Sequence, residues 1–451
     1  MSRNIFGLLI SAVFLFTPVY ASGEEETVPA EKLSFPKSWF AQQDATGNWG
    51  GLRDKLDDGG VKISSNFTTD INGNPVGGLQ QTATYSGYQD ISVALDFEKL
   101  LSLEGVALTV TNYLATGRNL SNSVGTVFTI QEIFAPGDYY FGELDLSVSL
   151  FDEKLTLEAG RLFAGDVFAA SPLWNYYVSS GINDNLNSIP VNIFFPGFNI
   201  TSWAVRGTYC PTKEWEIRAA LYNGDPSVAD PDRRGLNFNL DTGHGGLVFS
   251  QITYKHNQTP EAKGLPGSAC FGGYYTNDKY EEIAFPGRTR RGNYGFYLTL
   301  DQMIYKGNWP EYDGPKHLRA GASYAERAKN PHHWQSPIPL DRPKGLTVWG
   351  GAYLAPDQDI NPQTYQLAGG LIYQGLPPNR NLDVTAICFI MGKFSEKVQE
   401  QGAEVVLELN HRFQVGPWFY ITPDIQYIIN PNGRTDVGDA LVLGMEASVD
   451  F

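Results

Sequence analysis

Hydrophobic and polar residues alternate along many segments of this chain. In the last segment, apolar side chains occupy every second position from Leu441 to Phe451, with polar or small residues between most of them. The same period of two recurs at residues 144–150, 215–221 and 405–409. Side chains of a β-strand point alternately to its two faces, so the pattern predicts strands with one apolar and one polar face. Each strand runs about eight to twelve residues, close to the length that crosses a membrane at a tilt.

The connections between these strands differ in length in a regular way. Residues 151–154, 211–213 and 414–416 are tight turns, whereas residues 163–201, 223–245 and 276–293 form long connections. This asymmetry is typical of transmembrane β-barrels, which close because lipid cannot satisfy an open sheet edge. Alternation marks seventeen candidate strands. Omitting residues 317–324 leaves sixteen and returns the tight and the long connections to opposite sides of the barrel, so residues 307–344 are predicted to form an elaborated periplasmic turn. We therefore predict an all-β fold, a closed antiparallel transmembrane β-barrel of 16 strands, with 18 strands as the alternative.

The N-terminal residues have the features of an export signal. Arg3 precedes an apolar stretch at residues 5–16, and Val19 and Ala21 offer small residues at the expected positions before a cleavage site. We interpret residues 1–21 as a signal peptide, residues 22–48 as a flexible acidic periplasmic leader and residues 49–451 as the barrel. An uncleaved anchor is the alternative, but about twelve apolar residues are short for the ~20 that span a bilayer. The predicted location is the bacterial outer membrane.

Composition and charge exclude several classes of protein. Lys and Arg number 33 against 49 Asp and Glu, and the net charge of −16 has the wrong sign for binding nucleic acid. The cysteines are too few and too far apart for a disulfide framework or a metal motif; they are Cys210, Cys270 and Cys388. No metal or cofactor is predicted, although Asp225, Asp230 and Asp232 either form turns or bind calcium.

The polar faces of the predicted strands carry the candidate pore residues. A Lys or Arg facing lipid at the membrane midplane costs about 2–4 kcal/mol, so charged faces should line a wet lumen. Sixteen strands leave room for an aqueous channel. The candidate lining residues are Arg206, Arg218, Glu158, Asp145, Glu143, Glu404, Glu408 and Arg412. An aromatic girdle at the membrane interfaces would come from Trp203, Tyr209, Trp215, Trp418, Phe419 and Tyr427.

Five stretches of the chain are similar to one protein family. They are residues 49–61 (WGGLRDKLDDGGV), 157–162 (LEAGRL), 293–297 (NYGFY) with 301–303 (DQM), 422–433 (TPDIQYIINPNG) and the terminal Phe451. From residue 49 to its end the chain resembles the carbohydrate-selective porins of bacterial outer membranes, the OprB type. The resemblance implies a sixteen-stranded pore that passes sugars passively through a constriction lined by charged residues. Residues 307–344 depart from the family pattern.

Three further residues are candidates for function. Arg161 belongs to a family motif, but strict alternation would turn it outward, so a strand end or bulge must direct it into the lumen. The connection at residues 163–201 is expected to fold inward as a constriction, where Trp174 would stack on sugars; packing of its aromatic residues against the wall is the alternative. Phe451, an aromatic end shared by many unrelated barrels, is the expected assembly signal for the barrel-assembly machinery.

The predicted function is passive diffusion of sugars and other small hydrophilic solutes through a water-filled channel in outer-membrane lipid. Wall charges would hydrogen-bond sugar hydroxyls weakly, because conduction requires sites that release the solute. No GxSxG, Walker or HExxH motif is present, so an enzyme is not expected. The alternatives are a secreted soluble all-β carbohydrate-binding protein and an outer-membrane β-barrel enzyme, which would need a serine beside His411 at one rim.

Overall fold

The computed structural model of the chain describes residues 42, 44–133, 138–165, 167–197, 200–259, 262–308, 343–378 and 380–451. Its strands are β1 (Val61–Val76), β2 (Ala83–Asp96), β3 (Val106–Gly117), β4 (Asp138–Leu150), β5 (Leu155–Leu162), β6 (Ser202–Tyr209), β7 (Trp215–Asn223), β8 (Gly246–His256), β9 (Gly267–Glu281), β10 (Thr289–Lys306), β11 (Gly345–Leu354), β12 (Gln363–Gln374), β13 (Val384–Phe394), β14 (Ala403–Gly416), β15 (Phe419–Ile429) and β16 (Ala440–Asp450). Four short helices accompany them: α1 (Leu52–Asp58), α2 (Phe97–Leu101), α3 (Ser121–Val124) and α4 (Ser188–Asn192). Among these residues no helix is long and apolar enough to cross a membrane.

The sixteen strands form one closed barrel in which every strand pairs with its sequence neighbours. All pairs are antiparallel, and β1 pairs with β16 from Asn66 opposite Asp450 to Val76 opposite Leu441. The prediction of a closed antiparallel 16-stranded barrel is confirmed. The predicted elaborated turn falls largely on residues 309–342, outside the described residues. Its two flanks meet at the end of β10, where the Gly307 amide donates to the Lys344 carbonyl at 2.7 Å.

The two faces of each strand follow the alternation of the sequence. On β7, Trp215, Ile217 and Leu221 are 42–50% exposed, whereas Glu216 and Arg218 between them are at most 7% exposed. Apolar side chains therefore form the outer surface and polar ones turn inward, as the cost of a lipid-facing charge requires. Trp418 is an exception to the expected aromatic girdle, since it lies in the tight turn between β14 and β15 and is 3% exposed.

The residues before β1 attach to the end of the last strand. The Arg53 guanidinium, on α1, donates to the Phe451 carbonyl at 2.8 Å, pairs with Asp44 and lies 4.4 Å over the Trp49 ring. The Ala45 amide donates to the Asp450 carbonyl at 2.8 Å. These contacts hold both chain ends of the barrel at the seam where β1 meets β16. The predicted signal peptide and most of the predicted leader lie outside the described residues.

Two long connections turn into the barrel rather than away from it. We call residues 118–133, which follow β3, the first inner connection, and residues 163–201, between β5 and β6, the second inner connection. Their apolar side chains form one buried cluster with inward-facing residues of β7 to β16. Contact with strands on so many sides is possible only from inside the barrel. The inner connections therefore fill part of the space that a bare 16-stranded wall would enclose.

Candidate functional site

Two inward-facing carboxylates on β14 hold the inner connections by their backbone. Glu404 accepts hydrogen bonds from Thr126 Oγ1 at 2.6 Å and from the amides of Val127 and Phe128 at 3.0 and 2.9 Å. Glu408 accepts from the amides of Val178 and Ser179 at 2.8 and 3.0 Å. Both glutamates are at most 1% exposed. The structure thus places these predicted lining residues on the inner face, where they act as clamps on the connections.

Arginines clamp the second inner connection from two other sides. Arg218 Nη1 donates to the Val167 carbonyl at 2.7 Å and pairs with Glu216 at 2.8 Å. On the opposite wall, Arg412 Nη2 donates to the Asn175 carbonyl at 2.6 Å. The Arg412 guanidinium also lies 5.0 Å over the ring of Tyr176 and 4.0 Å over that of Tyr420. Both arginines are 4% exposed, so they are as deeply buried as the glutamates.

Four of the predicted lining residues come together on β4, β5 and β6. Glu158 faces Arg206 across the strand pair, and two hydrogen bonds of 2.7 and 2.5 Å join the carboxylate to the guanidinium. Arg206 Nη1 also donates to the Phe163 carbonyl at 3.0 Å, at the start of the second inner connection. Glu143 and Asp145 on β4 interact electrostatically with this pair. Both remain half-buried, and Asp145 Oδ1 accepts no hydrogen bond from any described residue.

Arg161 lies outside the lumen, which corrects its expected place in the pore lining. Alternation along β5 turns it outward, as the pattern alone indicates, and no bulge redirects it. Its guanidinium donates to the carbonyls of Asn237 and Thr201 at 2.8 and 2.9 Å and lies 5.8 Å from the Phe238 ring. The connection between β7 and β8 thus folds over the outer wall and covers the charge, leaving Arg161 1% exposed. Its role in this structure is to fasten that connection to the rim.

Trp174 lies in the second inner connection, as expected, but its indole is 1% exposed. The ring packs edge-on against Trp349 of β11 with 5.6 Å between ring centroids. A Cβ on Gly351 would lie 2.9 Å from the Trp174 ring, so the glycine provides the space for it. The aromatic side chain is therefore packed against the wall, and its direct contact with sugar stays a prediction.

Several neutral side chains that hold the second inner connection were not predicted. Gln366 on β12 accepts from the Ser188 amide at 2.8 Å and donates to the Gly181 carbonyl at 2.6 Å. Asn410 on β14 donates to the Tyr176 carbonyl at 2.9 Å. Each lies at an inward position of its strand, which the sequence indicates, but alternation alone does not distinguish a neutral anchor from a wet surface residue.

The acidic residues between β7 and β8 serve as turn formers. Asp225 accepts from the amide and hydroxyl of Ser227 at 2.9 and 2.8 Å, and Asp230 accepts from the Asp232 amide at 3.0 Å. Each carboxylate caps a short 3-10 helix that begins with proline. Of the two interpretations of these residues, the contacts favour the turn.

A closed barrel with an apolar outer surface and connections fixed inside its lumen defines the class of outer-membrane porins. The family model of the carbohydrate-selective porins, OprB family, matches residues 80–451. The chain therefore belongs to the OprB family of carbohydrate-selective porins, and it is an outer-membrane channel.

Individual relatives agree over nearly the whole chain. Porin B from Pseudomonas aeruginosa is 24% identical over 453 residues, which cover 94% of this chain and 93% of that protein. A putative porin, QuiX, from Acinetobacter baylyi is 22% identical over 474 residues and covers both chains fully. The high-pH structure of Pseudomonas putida OprB superposes with a TM-score of 0.78 at 20% identity, covering 91% of this chain and 99% of that one. This last similarity shows that the two proteins share a fold.

Proposed function

We propose that sugars and other small hydrophilic solutes diffuse passively along the inner faces of β1 and β4, which the inner connections leave accessible. The observation that carries the proposal is a difference in exposure among inward-facing polar residues. Lys62 on β1 and Glu143, Asp145 and Ser147 on β4 are half-buried. The clamping residues are at most 4% exposed; they are Glu404, Glu408, Arg206, Arg218 and Arg412.

The accessible residues suit weak recognition of sugars. Carboxylates accept hydrogen bonds and the Lys62 ammonium donates them, so together they can replace the water that a sugar sheds. A net hydrogen bond contributes only about 0.5–1.5 kcal/mol, which favours passage over retention. The proposal needs no energy source and no covalent step.

Export and assembly are part of the same proposal. Residues 1–21 are removed as a signal peptide, the outer apolar faces contact outer-membrane lipid, and Phe451 is recognised by the barrel-assembly machinery. The exposed outer side chains of β7 support the lipid contact. The Phe451 amide donates to the Ser65 carbonyl at 2.8 Å, so the terminal residue pairs with β1 at the seam between β1 and β16.

The proposed route is tested by single-channel conductance in planar bilayers, with sugars added to block the ion current. Asp145→Asn and Glu143→Gln should weaken the sugar block, because each removes an accessible carboxylate. Leu146→Ala is the matched control, since Leu146 directly follows Asp145 on the same strand but faces outward and is 43% exposed. Purified protein that inserts without passing current would contradict the channel. An unchanged block in both carboxylate variants would place the route elsewhere in the lumen.

A further inference from the structure

Buried oxygen atoms without hydrogen-bond partners are concentrated near the seam of the barrel. They are both carboxylate oxygens of Asp70 and Oδ1 of Asn72 on β1, together with Thr422 Oγ1, Asp424 Oδ1 and Gln426 Oε1 on β15. None accepts a hydrogen bond from any described residue, and all five residues are at most 2% exposed. Native structures pair nearly all buried polar groups, so a concentration of unpaired oxygens calls for a partner of another kind.

The strand register brings these side chains to one place. Across β16, Asp70 and Thr422 flank Glu446 in one row, and Asn72 and Asp424 flank Gly444 in the next. A Cβ on Gly444 would lie 1.9 Å from Asn72 Oδ1 and 3.4 Å from Asp424 Oδ2. The Asn72 amide and the Asp424 carboxylate therefore both reach into the space that a side chain at Gly444 would occupy.

The set is rich in oxygen acceptors, and two of its residues carry a formal negative charge. An unpaired buried carboxylate costs several kcal/mol, and two donors within the set, the Thr422 hydroxyl and the Asn72 NH2 group, are themselves without a partner among the described residues, so neither satisfies a carboxylate. Arg412 donates to the Asn175 carbonyl and forms an ion pair of 3.9 Å with Glu446 rather than with either aspartate. A cation can satisfy several of these oxygens at once.

We propose that Asp70, Asn72 and Asp424 bind a calcium ion on the lumen wall, with Thr422 and Gln426 completing the ligand set. Calcium takes six to eight oxygen ligands, about 2.3–2.6 Å away, and accepts amide and hydroxyl oxygens beside carboxylates. The two aspartates match the charge of one divalent ion, and the charge of Glu446, which lies between Asp70 and Thr422, is opposed by Arg412 at 3.9 Å. In the described part of the chain no three His, Cys, Asp or Glu side chains are grouped as ligands, so the amide and hydroxyl oxygens are essential to the site.

Calcium binding would join β1 to β15 across β16, beside the strand pair that closes the barrel. It would also neutralise two carboxylates on the wall of the lumen. The proposal goes beyond passive diffusion, because it assigns this chain a resident cation that affects both stability and charge in the channel.

Equilibrium dialysis of the full-length protein in detergent, after EDTA treatment and with calcium as the probe, tests the site. The expected result is one calcium per chain, and Asp70→Asn and Asp424→Asn should each weaken binding by at least about tenfold. Asp145→Asn is the matched control, since it removes a lumen carboxylate on β4 and should keep the calcium affinity. Binding well below one calcium per chain, or equal affinity in all variants, would overturn the proposal.

Thermal unfolding gives a second, independent test. In EDTA, Asp70→Asn should be at least as stable as the wild type, because the substitution removes an unpaired buried charge. At calcium a hundredfold above its Kd, the wild-type midpoint should rise by about 3–5 °C while that of Asp70→Asn stays unchanged. If this variant fails to assemble, Asp424→Asn provides the same comparison. A calcium response of equal size in the wild type and the variants would also refute the site.

Discussion

The clamp that Glu408 places on the second inner connection can be removed with a nearly isosteric change, Glu408→Gln. The carboxylate accepts from two adjacent amides, those of Val178 and Ser179, at 2.8 and 3.0 Å. A glutamine oxygen can still accept from one amide, but the NH2 group cannot accept from the other. One buried N–H is then left without a partner, which costs about 1–3 kcal/mol. The free energy needed to open the connection locally should fall by that amount.

Hydrogen–deuterium exchange of the barrel in detergent measures this loss directly. Since 1.4 kcal/mol corresponds to a factor of ten, the amides of residues 178 and 179 should exchange about 5- to 150-fold faster in the variant. Glu404→Gln is the reciprocal control, because it should speed exchange at Val127 and Phe128 and leave residues 178 and 179 protected. Unchanged exchange at 178 and 179 in a folded Glu408→Gln barrel would refute the clamp.

Three further substitutions test other parts of the structure. Arg53→Ala should weaken the attachment of Phe451 and reduce resistance of the folded barrel to heat on gels, while an unchanged gel shift would show that the seam does not need it. Trp174→Ala should destabilise the protein by about 3–5 kcal/mol in denaturant titrations, because it empties a buried site; wild-type stability in this variant would contradict the packing of the indole against the wall. In the β12–β13 connection, burial alone would raise the pKa of Asp383, but hydrogen bonds from His411 and Arg380 hold this pKa below its usual 3.8. The carboxylate therefore stabilises the fold above pH 3.8 and loses that effect as the pH falls through its lowered pKa. Asp383→Asn weakens hydrogen bonds to a charged group, each worth about 1.5–3 kcal/mol, so it should destabilise the protein at neutral pH and less in acid; a cost independent of pH would contradict this.

Much of the barrel wall was predictable, because apolar and polar residues alternate along its strands with a period of two. The alternation at residues 215–221 and 405–409 indicates which side chains face inward, and the structure places Arg218 and Glu408 on that face. The same pattern turns Arg161 outward, and the structure agrees with the pattern rather than with the expected bulge. The covering connection at residues 224–245 explains how an outward guanidinium can be buried, but its path carries no periodic signal.

The inner connections were harder to derive because their partners are distant in sequence. Glu404 contacts Val127, and Glu408 contacts Val178, across more than two hundred residues. The positions of the two glutamates in the sequence do not indicate which backbone amides they bind. One signal was present in β13, where apolar residues follow one another from Ile387 to Met391 on both faces. Its inward members Cys388 and Ile390 are at most 4% exposed. An apolar inner face indicates that something other than water covers that side of the lumen.

Clamping and solute recognition compete for the same hydrogen-bonding groups. The Arg206 guanidinium donates two hydrogen bonds to Glu158 and a third to the Phe163 carbonyl. Breaking such a buried pair costs about 3–5 kcal/mol, whereas a sugar hydroxyl offers about 0.5–1.5 kcal/mol per net hydrogen bond. A passing sugar therefore cannot displace these contacts, and the deeply buried charges act on permeation through the shape they impose. Selectivity must therefore come from groups that the inner connections do not enclose, such as the half-buried Glu143 and Asp145 on β4.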